Sequence, residues 1–298
     1  MKVAAGRLGG KVPRLVQGVS LSRAADRVEY VVRGAVVMGR DPGGGLERVR
    51  GRLDRRRDGK ALRMLGRPLD DIYPIDQAWL GHLHEAMGWP WPCPGLARAS
   101  ELYGEVMASF ARLGLPRRHA GWCDGGQAFT ATAWCLVSHL QPRTVVETGT
   151  ARGVTSRLVL EALEQQPSGH LYSIDLPTVD SRLHAHMGIA VPPERRGRWT
   201  TLVGPSRRLL PRLLDELGTV DLFVHDSLHT GRNTLFEIEQ AWSRLTPGGA
   251  ILVDDVYQSL AFHTFVERAR PPVSLVGAQP DGGYRFGVAV AAGRGPGR

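Results

Sequence analysis

Three carboxylates and one imidazole are spaced so that they could share an ion and move a proton. Asp226 follows Val220 to His225, a run that predicts a strand, and His229 stands three residues later. Asp254 and Asp255 stand side by side, 28 and 29 residues after Asp226, behind the apolar run Ala250 to Val253. Parallel strands deliver the residues at their carboxyl ends to one edge of the sheet, so the three acids converge. Clustered acids repel one another unless a cation joins them. An all-oxygen set suits Mg²⁺, Mn²⁺ or Ca²⁺ better than zinc. At the start of a helix, residues i and i+3 share a face, which puts His229 beside Asp226. An imidazole with an ordinary pKa near 6.5 is mostly neutral at physiological pH and can accept a proton. The expectation is a divalent cation, most simply Mg²⁺, on Asp226, Asp254 and Asp255, with His229 as general base. The plainer alternatives are caps and turn residues for the acids, and a supporting hydrogen bond to Asp226 for His229.

A second set of candidates lies upstream. Thr144, Val145 and Val146 suit a strand buried on both faces, and Leu158, Val159, Leu160 and Leu163 repeat at helical spacing. Between them stand Glu147, Gly149, Gly153 and Thr155. Strand, glycine turn and helix open a doubly wound α/β domain, whose ligands bind at the carboxyl ends of the strands. Glycines let the backbone approach a ligand, and the helix start offers free N–H groups. The spacing is G-x-x-x-G rather than the dinucleotide G-x-G-x-x-G. A carboxylate at Glu147 repels a pyrophosphate but can pair with an ammonium. Asp175 ends the next strand-like run, His170 to Asp175, 22 residues beyond Gly153. An acid there can accept both ribose hydroxyls of an adenosine; a helix cap is the alternative.

The elements that must position these residues follow from patterning. Further strands are expected at Trp199 to Val203 and at 273–277 and 284–290, with helices near Ala128 to Leu140, Ser206 to Leu217, Asn233 to Leu245 and Phe262 to Arg268. Thr246-Pro247-Gly248-Gly249 reads as a turn. Strands alternating with helices predict a mainly parallel sheet. Before residue 115 the pattern is helical: Leu21 to Met38, then a breaker at Asp41-Pro42-Gly43-Gly44-Gly45, a basic helical or disordered stretch from Arg48 to Arg57, and helices over 75–87 and 97–114. The prolines of Gly88 to Pro94 exclude a helix there. The expected organisation is a basic helical extension over 1–115 and an α/β domain over 116–298.

The stretch from Glu147 to Gly153 resembles motif I of class I S-adenosylmethionine (SAM) dependent methyltransferases, in which the acid and the glycine turn hold the amino-acid end of SAM. Asp226 with the Asp254–Asp255 pair is similar to the metal site of divalent-metal-dependent O-methyltransferases of the catechol type. Those enzymes carry a lysine base three residues after the first ligand. His229 at that place is closer to the macrolide-sugar O-methyltransferases and their bacterial relatives, as is the string His-Asp-Ser-Leu-His-Thr followed by Pro-Gly-Gly. The resemblance covers roughly residues 121–292. It implies a Rossmann-like, mainly parallel sheet with an antiparallel last strand and SAM as cofactor. It also implies contact with the adenine near Gly204-Pro205-Ser206, where Ser206 is equally suited to cap a helix. The implied reaction is methylation of a hydroxyl on a small polyhydroxylated acceptor, such as a sugar of a glycosylated natural product.

Composition narrows the alternatives. The net charge of +9 lies wholly in residues 1–120, with 21 Lys and Arg against 12 Asp and Glu; residues 121–298 carry 17 of each. A basic appendage can meet phosphates or a membrane surface, but no nucleic-acid-binding motif accompanies it. The extension is expected to select the acceptor or build a homo-oligomer. No apolar run reaches the length of a membrane span, and no signal peptide is evident. Cys93, Cys123 and Cys135, odd in number and widely spaced, suggest neither a disulfide framework nor a zinc site, which fits a reducing cytoplasm. Two other readings stay open. An Fe(II) oxygenase would use His225, Asp226 and His229, although adjacent strand residues point to opposite faces. A non-catalytic SAM- or nucleic-acid-binding module would have no need of Asp254 and Asp255.

Overall fold

The computed structural model describes residues 42–115, 118–119, 122–123, 125–279 and 283–293. The expected helix from Leu21 to Met38 lies outside them, as do residues 280–282 of the last hairpin turn.

Seven strands form one sheet: β1 (Thr144–Thr148), β2 (His170–Asp175), β3 (Trp199–Val203), β4 (Val220–His225), β5 (Leu245–Val253), β6 (Val273–Ala278) and β7 (Arg285–Val290). Their order is β3-β2-β1-β4-β5-β7-β6. β7 runs antiparallel to both neighbours, and the remaining pairs are parallel. The chain winds outward from β1 in both directions, so the crevice for a ligand opens where β1 meets β4, at their carboxyl ends.

Helices cover both faces, and strand alternation decides which residue goes where. Val145, Leu222, Val224 and Leu252 point to one apolar layer, with α4 (Gln127–Leu140) and α5 (Val154–Leu163). Val146, Phe223, Ile251 and Val253 point to the other, with α6 (Ser206–Leu217), α7 (Gly231–Trp242) and α8 (Ala261–Ala269). Burial on both faces explains why β1, β4 and β5 read as continuous apolar runs. The upstream helices α2 (Trp79–Met87) and α3 (Leu96–Arg112) add Leu83, Leu102 and Phe110 to the first layer. No helix among the described residues is long and apolar enough to cross a membrane.

Three local expectations need correction. The glycine stretch after Asp41 does not break the chain, because helix α1 runs from Pro42 to Met64 and takes Gly43, Gly44 and Gly45 into its first turn. Proline suits the first helical position, where its missing N–H costs nothing. Thr246-Pro247-Gly248-Gly249 is not a separate turn but part of β5, whose pairing jumps from Val220↔Leu245 to Leu222↔Ala250. The cysteines are not all apart: the loop after α2 carries Cys93 against Cys135 of α4, with the sulfurs 3.0 Å from each other.

α1 lies against the loop that follows β4. Gly51 allows the approach, since a Cβ there would sit 2.8 Å from Leu228 Cδ2. Farther along α1, Asp58 Oδ2 accepts the Gly231 N–H at 2.9 Å. Near its start, Arg48 donates to the Pro177 carbonyl, just past β2.

Candidate active site

The carboxyl edge is built by hydrogen bonds that carry the ladder one residue beyond each strand. Gly149 N–H donates to Ile174 O, Asp226 N–H to Thr148 O and Asp254 N–H to His225 O, each at 2.8 Å. Gly149, Asp226 and Asp254 are thereby set side by side. Gly149 has φ 89°, and a Cβ on it would lie 1.9 Å from the Asp226 carbonyl oxygen, so only glycine fits where the β1 turn crosses the end of β4. Gly153, φ 82°, caps the start of α5.

The expected acids and His229 do come together. One oxygen each of Asp226 and Asp254 and a ring nitrogen of His229 lie within 4.8 Å of one another. His229 Nε2 stands 3.8 Å from Asp226 Oδ1 and 3.8 Å from Asp255 Oδ2. Asp255 takes a left-handed backbone, φ 52°, which turns its side chain back towards the group. Burial, and then the charge of Asp255, raise the Asp254 carboxyl well above the usual range. Burial also pushes His229 down to about 3, aided by His225 and by Arg55 of α1, so the imidazole is neutral. Its Nδ1 has no hydrogen-bond partner among the described residues.

His225 is kept out of this cluster. Its Nδ1 lies 2.6 Å from Glu237 Oε2, and its Nε2 lies 3.0 Å from the Thr234 hydroxyl. Glu237, on α7, also accepts from Thr148, Ser227 and Asn233. Burial alone would raise Glu237, but His225 beside it, with Ser206 and Thr148 donating, pulls it down to about 2. Strand alternation thus divides His225 from Asp226 as sequence predicts, which leaves the oxygenase reading without its second histidine. Glu237 was missed because its signal is tertiary: an acid on an amphipathic helix reads as a solvent-facing residue.

The upstream candidates divide between two places. Glu147 is buried, and its Oε2 accepts from Ser156 and Ser173, both at 2.6 Å. Its other oxygen has no hydrogen-bond partner among the described residues. Burial, opposed by the two serines, raises its pKa to about 7. Asp175 Oδ2 accepts the Thr150 and Ala151 N–H groups at 3.2 and 2.8 Å, and burial lifts it to about 6. A cavity of about 140 Å³ opens beside Asp175, lined by Thr150, Ser173, Met187, Trp199 and Leu202 among others. Thr155 is buried in the first turn of α5, close to Gly125. Ser206 starts α6 with its hydroxyl on Glu237, away from that cavity's lining.

Residues 146–256, from the middle of β1 to just past Asp255, match the family model of a methyltransferase domain. Over that stretch the chain is similar to methyltransferase domains. A search of curated proteins returns no match. Among solved structures, the domain is similar to the SAM-bound O-methyltransferase TomG from Streptomyces achromogenes, involved in tomaymycin synthesis. The two are 19% identical over 65% of this chain and 90% of that one, with a TM-score of 0.50. A Bacillus cereus O-methyltransferase with bound S-adenosylhomocysteine is 18% identical over 64% and 90%, with a TM-score of 0.49. At these identities the likeness is one of fold. The mainly parallel, doubly wound sheet with its antiparallel last strand agrees with the sequence expectation.

Proposed function

We propose that the chain transfers a methyl group from SAM to a hydroxyl oxygen of a small polyhydroxylated acceptor, with a divalent cation beside the reacting oxygen. The observation that carries this reading is the convergence of Asp226, Asp254 and His229 at the carboxyl edge, next to the Gly149 turn. The hard carboxylate oxygens suit Mg²⁺, and Asp226, Asp254 and Asp255 are the residues that would hold it. When bound, such an ion supplies Lewis acidity to the acceptor oxygen. The function of the TomG protein, methyl transfer to oxygen, agrees with this assignment.

The chain's own residues supply the remainder. Asp175 accepts the ribose hydroxyls, and Glu147 with the Gly149–Gly153 turn receives the amino-acid end of SAM. The acceptor oxygen attacks the methyl carbon in line, the carbon–sulfur bond breaks, and sulfur leaves as a neutral thioether. His229, neutral and partly buried, takes the hydroxyl proton. Helix α1 covers the edge on the acceptor side, where Arg55 lies near His229, so the extension takes part in choosing the acceptor. A sugar of a glycosylated natural product fits these requirements.

A second reading has one observation in its favour: the distances that join Asp226 to Asp254 include His229, as a ligand would be included. Incubation with labelled SAM and a panel of glycosides, with and without chelator, tests the proposal. Methyl transfer that stops with chelator and returns with Mg²⁺ is expected; full turnover in excess chelator would leave the acids a structural role only.

A further inference from the structure

Outside the methyltransferase site, four side chains of metal-binding type meet on the face of the sheet covered by α2, α3 and α4. His84 lies near the end of α2, Cys93 in the loop that follows, and Cys135 and His139 are one helical turn apart on α4. The ligating atoms of His84, Cys93 and Cys135 all lie within 4.8 Å of one another, and all three residues are buried. His139 stands at the edge of that set of three, its Nε2 3.6 Å from Cys93 Sγ. Around a tetrahedral zinc, with bonds of about 2.0–2.3 Å, neighbouring ligand atoms stand about 3.3–3.8 Å apart. The sulfurs at 3.0 Å are farther apart than the roughly 2.05 Å of a disulfide and closer than that tetrahedral edge.

We propose that His84, Cys93, Cys135 and His139 hold a structural zinc ion. The orientation of His84 supports this independently of the cysteines. Its Nδ1 lies 2.7 Å from the Pro90 carbonyl, the bond that fixes the tautomer in metal-bound histidines and presents Nε2 to the ion. Nε2 is fully buried and has no hydrogen-bond partner among the described residues. A disulfide between the cysteines would leave that nitrogen, and His139 beside Cys93, without a purpose. A backbone hydrogen bond from Gly95 to Cys93 favours the thiolate form. Trp89 stacks on His139 at 4.8 Å, and Trp89 and Trp91 both pack against His84, which shields the cluster from water. Two thiolates and two neutral imidazoles leave no net charge around Zn²⁺, and an S₂N₂ tetrahedron selects zinc over the harder ions of an all-oxygen site.

Its position makes the role structural. α4 ends at Leu140 and β1 begins at Thr144, so Cys135 and His139 lie towards the amino edge, away from Asp226 and Asp254. The ion pins the Trp-Pro loop, and with it α2, to α4, closing a loop of about 40 residues whose ordering entropy the metal offsets.

Metal analysis of the purified full-length protein is expected to find one zinc per chain. Zinc should persist in Asp254→Asn and in Cys123→Ser, and be lost in Cys93→Ser/Cys135→Ser and in His84→Ala. Should the double variant fail to fold, cobalt substitution of the wild type decides. A tetrahedral cobalt spectrum with a thiolate charge-transfer band is expected, and carboxylates alone cannot give that band. An intact mass two hydrogens lighter without zinc would assign a disulfide and overturn the proposal. So would cobalt binding with no thiolate band, or zinc lost in Asp254→Asn but retained without the cysteines.

Discussion

Replacing Glu147 with glutamine should change how stability depends on pH. Glu147 is 1% exposed, and burial raises its pKa from 4.5 to about 7. Between those values the native state holds a proton that the unfolded chain has released. Stability therefore falls as pH rises through that window, and the penalty is complete above about pH 7. At about 1.4 kcal/mol per pH unit, the penalty is about 3 kcal/mol. Glu147→Gln keeps an acceptor for Ser156 and Ser173 but cannot ionise. Its amide nitrogen, placed where Oε1 has no partner, adds a cost of about 1–3 kcal/mol that is independent of pH. Urea unfolding of both proteins without cofactor, at several values from pH 4.5 to 8, separates the two effects. The difference in unfolding free energy should move by about 3 kcal/mol in favour of the variant as pH rises, because groups common to both proteins cancel. A difference that stays constant across the range would refute the reasoning, since it would mean that Glu147 ionises as easily inside the fold as outside. Calorimetry at pH 8 should show that the same substitution weakens SAM binding, consistent with a carboxylate kept at a cost for its ligand.

Gly149→Ala places a Cβ 1.9 Å from the Asp226 carbonyl oxygen in a left-handed backbone. It should destabilise the protein by more than the roughly 1–2 kcal/mol of the backbone alone, and equal thermal midpoints would contradict the tight crossing. Asp175→Ala should weaken SAM binding by about 10- to 100-fold, for the loss of charge-assisted hydrogen bonds worth about 1.5–3 kcal/mol. In the wild type the affinity should fall as pH drops through about 6, where Asp175 takes up a proton; titration calorimetry checks both. His229→Ala should lower turnover by about 10²–10⁴, the usual range for losing a general base, with SAM and Mg²⁺ affinities little changed. Loss of Mg²⁺ binding instead would make it a ligand.

Much of this molecule is local in origin and so legible in the chain. β-Branched and apolar runs bounded by turn residues favour strands locally, which is why the central strands β2 and β4 and the edge strand β3 appear at their expected boundaries. An acid at each strand end is delivered to the carboxyl edge by the topology itself, so the meeting of Asp226, Asp254, Asp255 and His229 followed from spacing. Other features depend on contacts that no local pattern carries. Glu237 is a core residue only because His225, Thr148, Ser227 and Asn233 converge on it from other elements. Gly43, Gly44 and Gly45 are poor helix formers, yet they enter α1 because proline can start a helix and because that helix packs on Leu228. Cys93 and Cys135 stand 42 residues apart, and only the packing of the Trp-Pro loop against α4 makes them neighbours. Periodicity decides which face a residue occupies, whereas the partner it meets there is decided by how whole helices dock, and that is set by the shape of the assembled core.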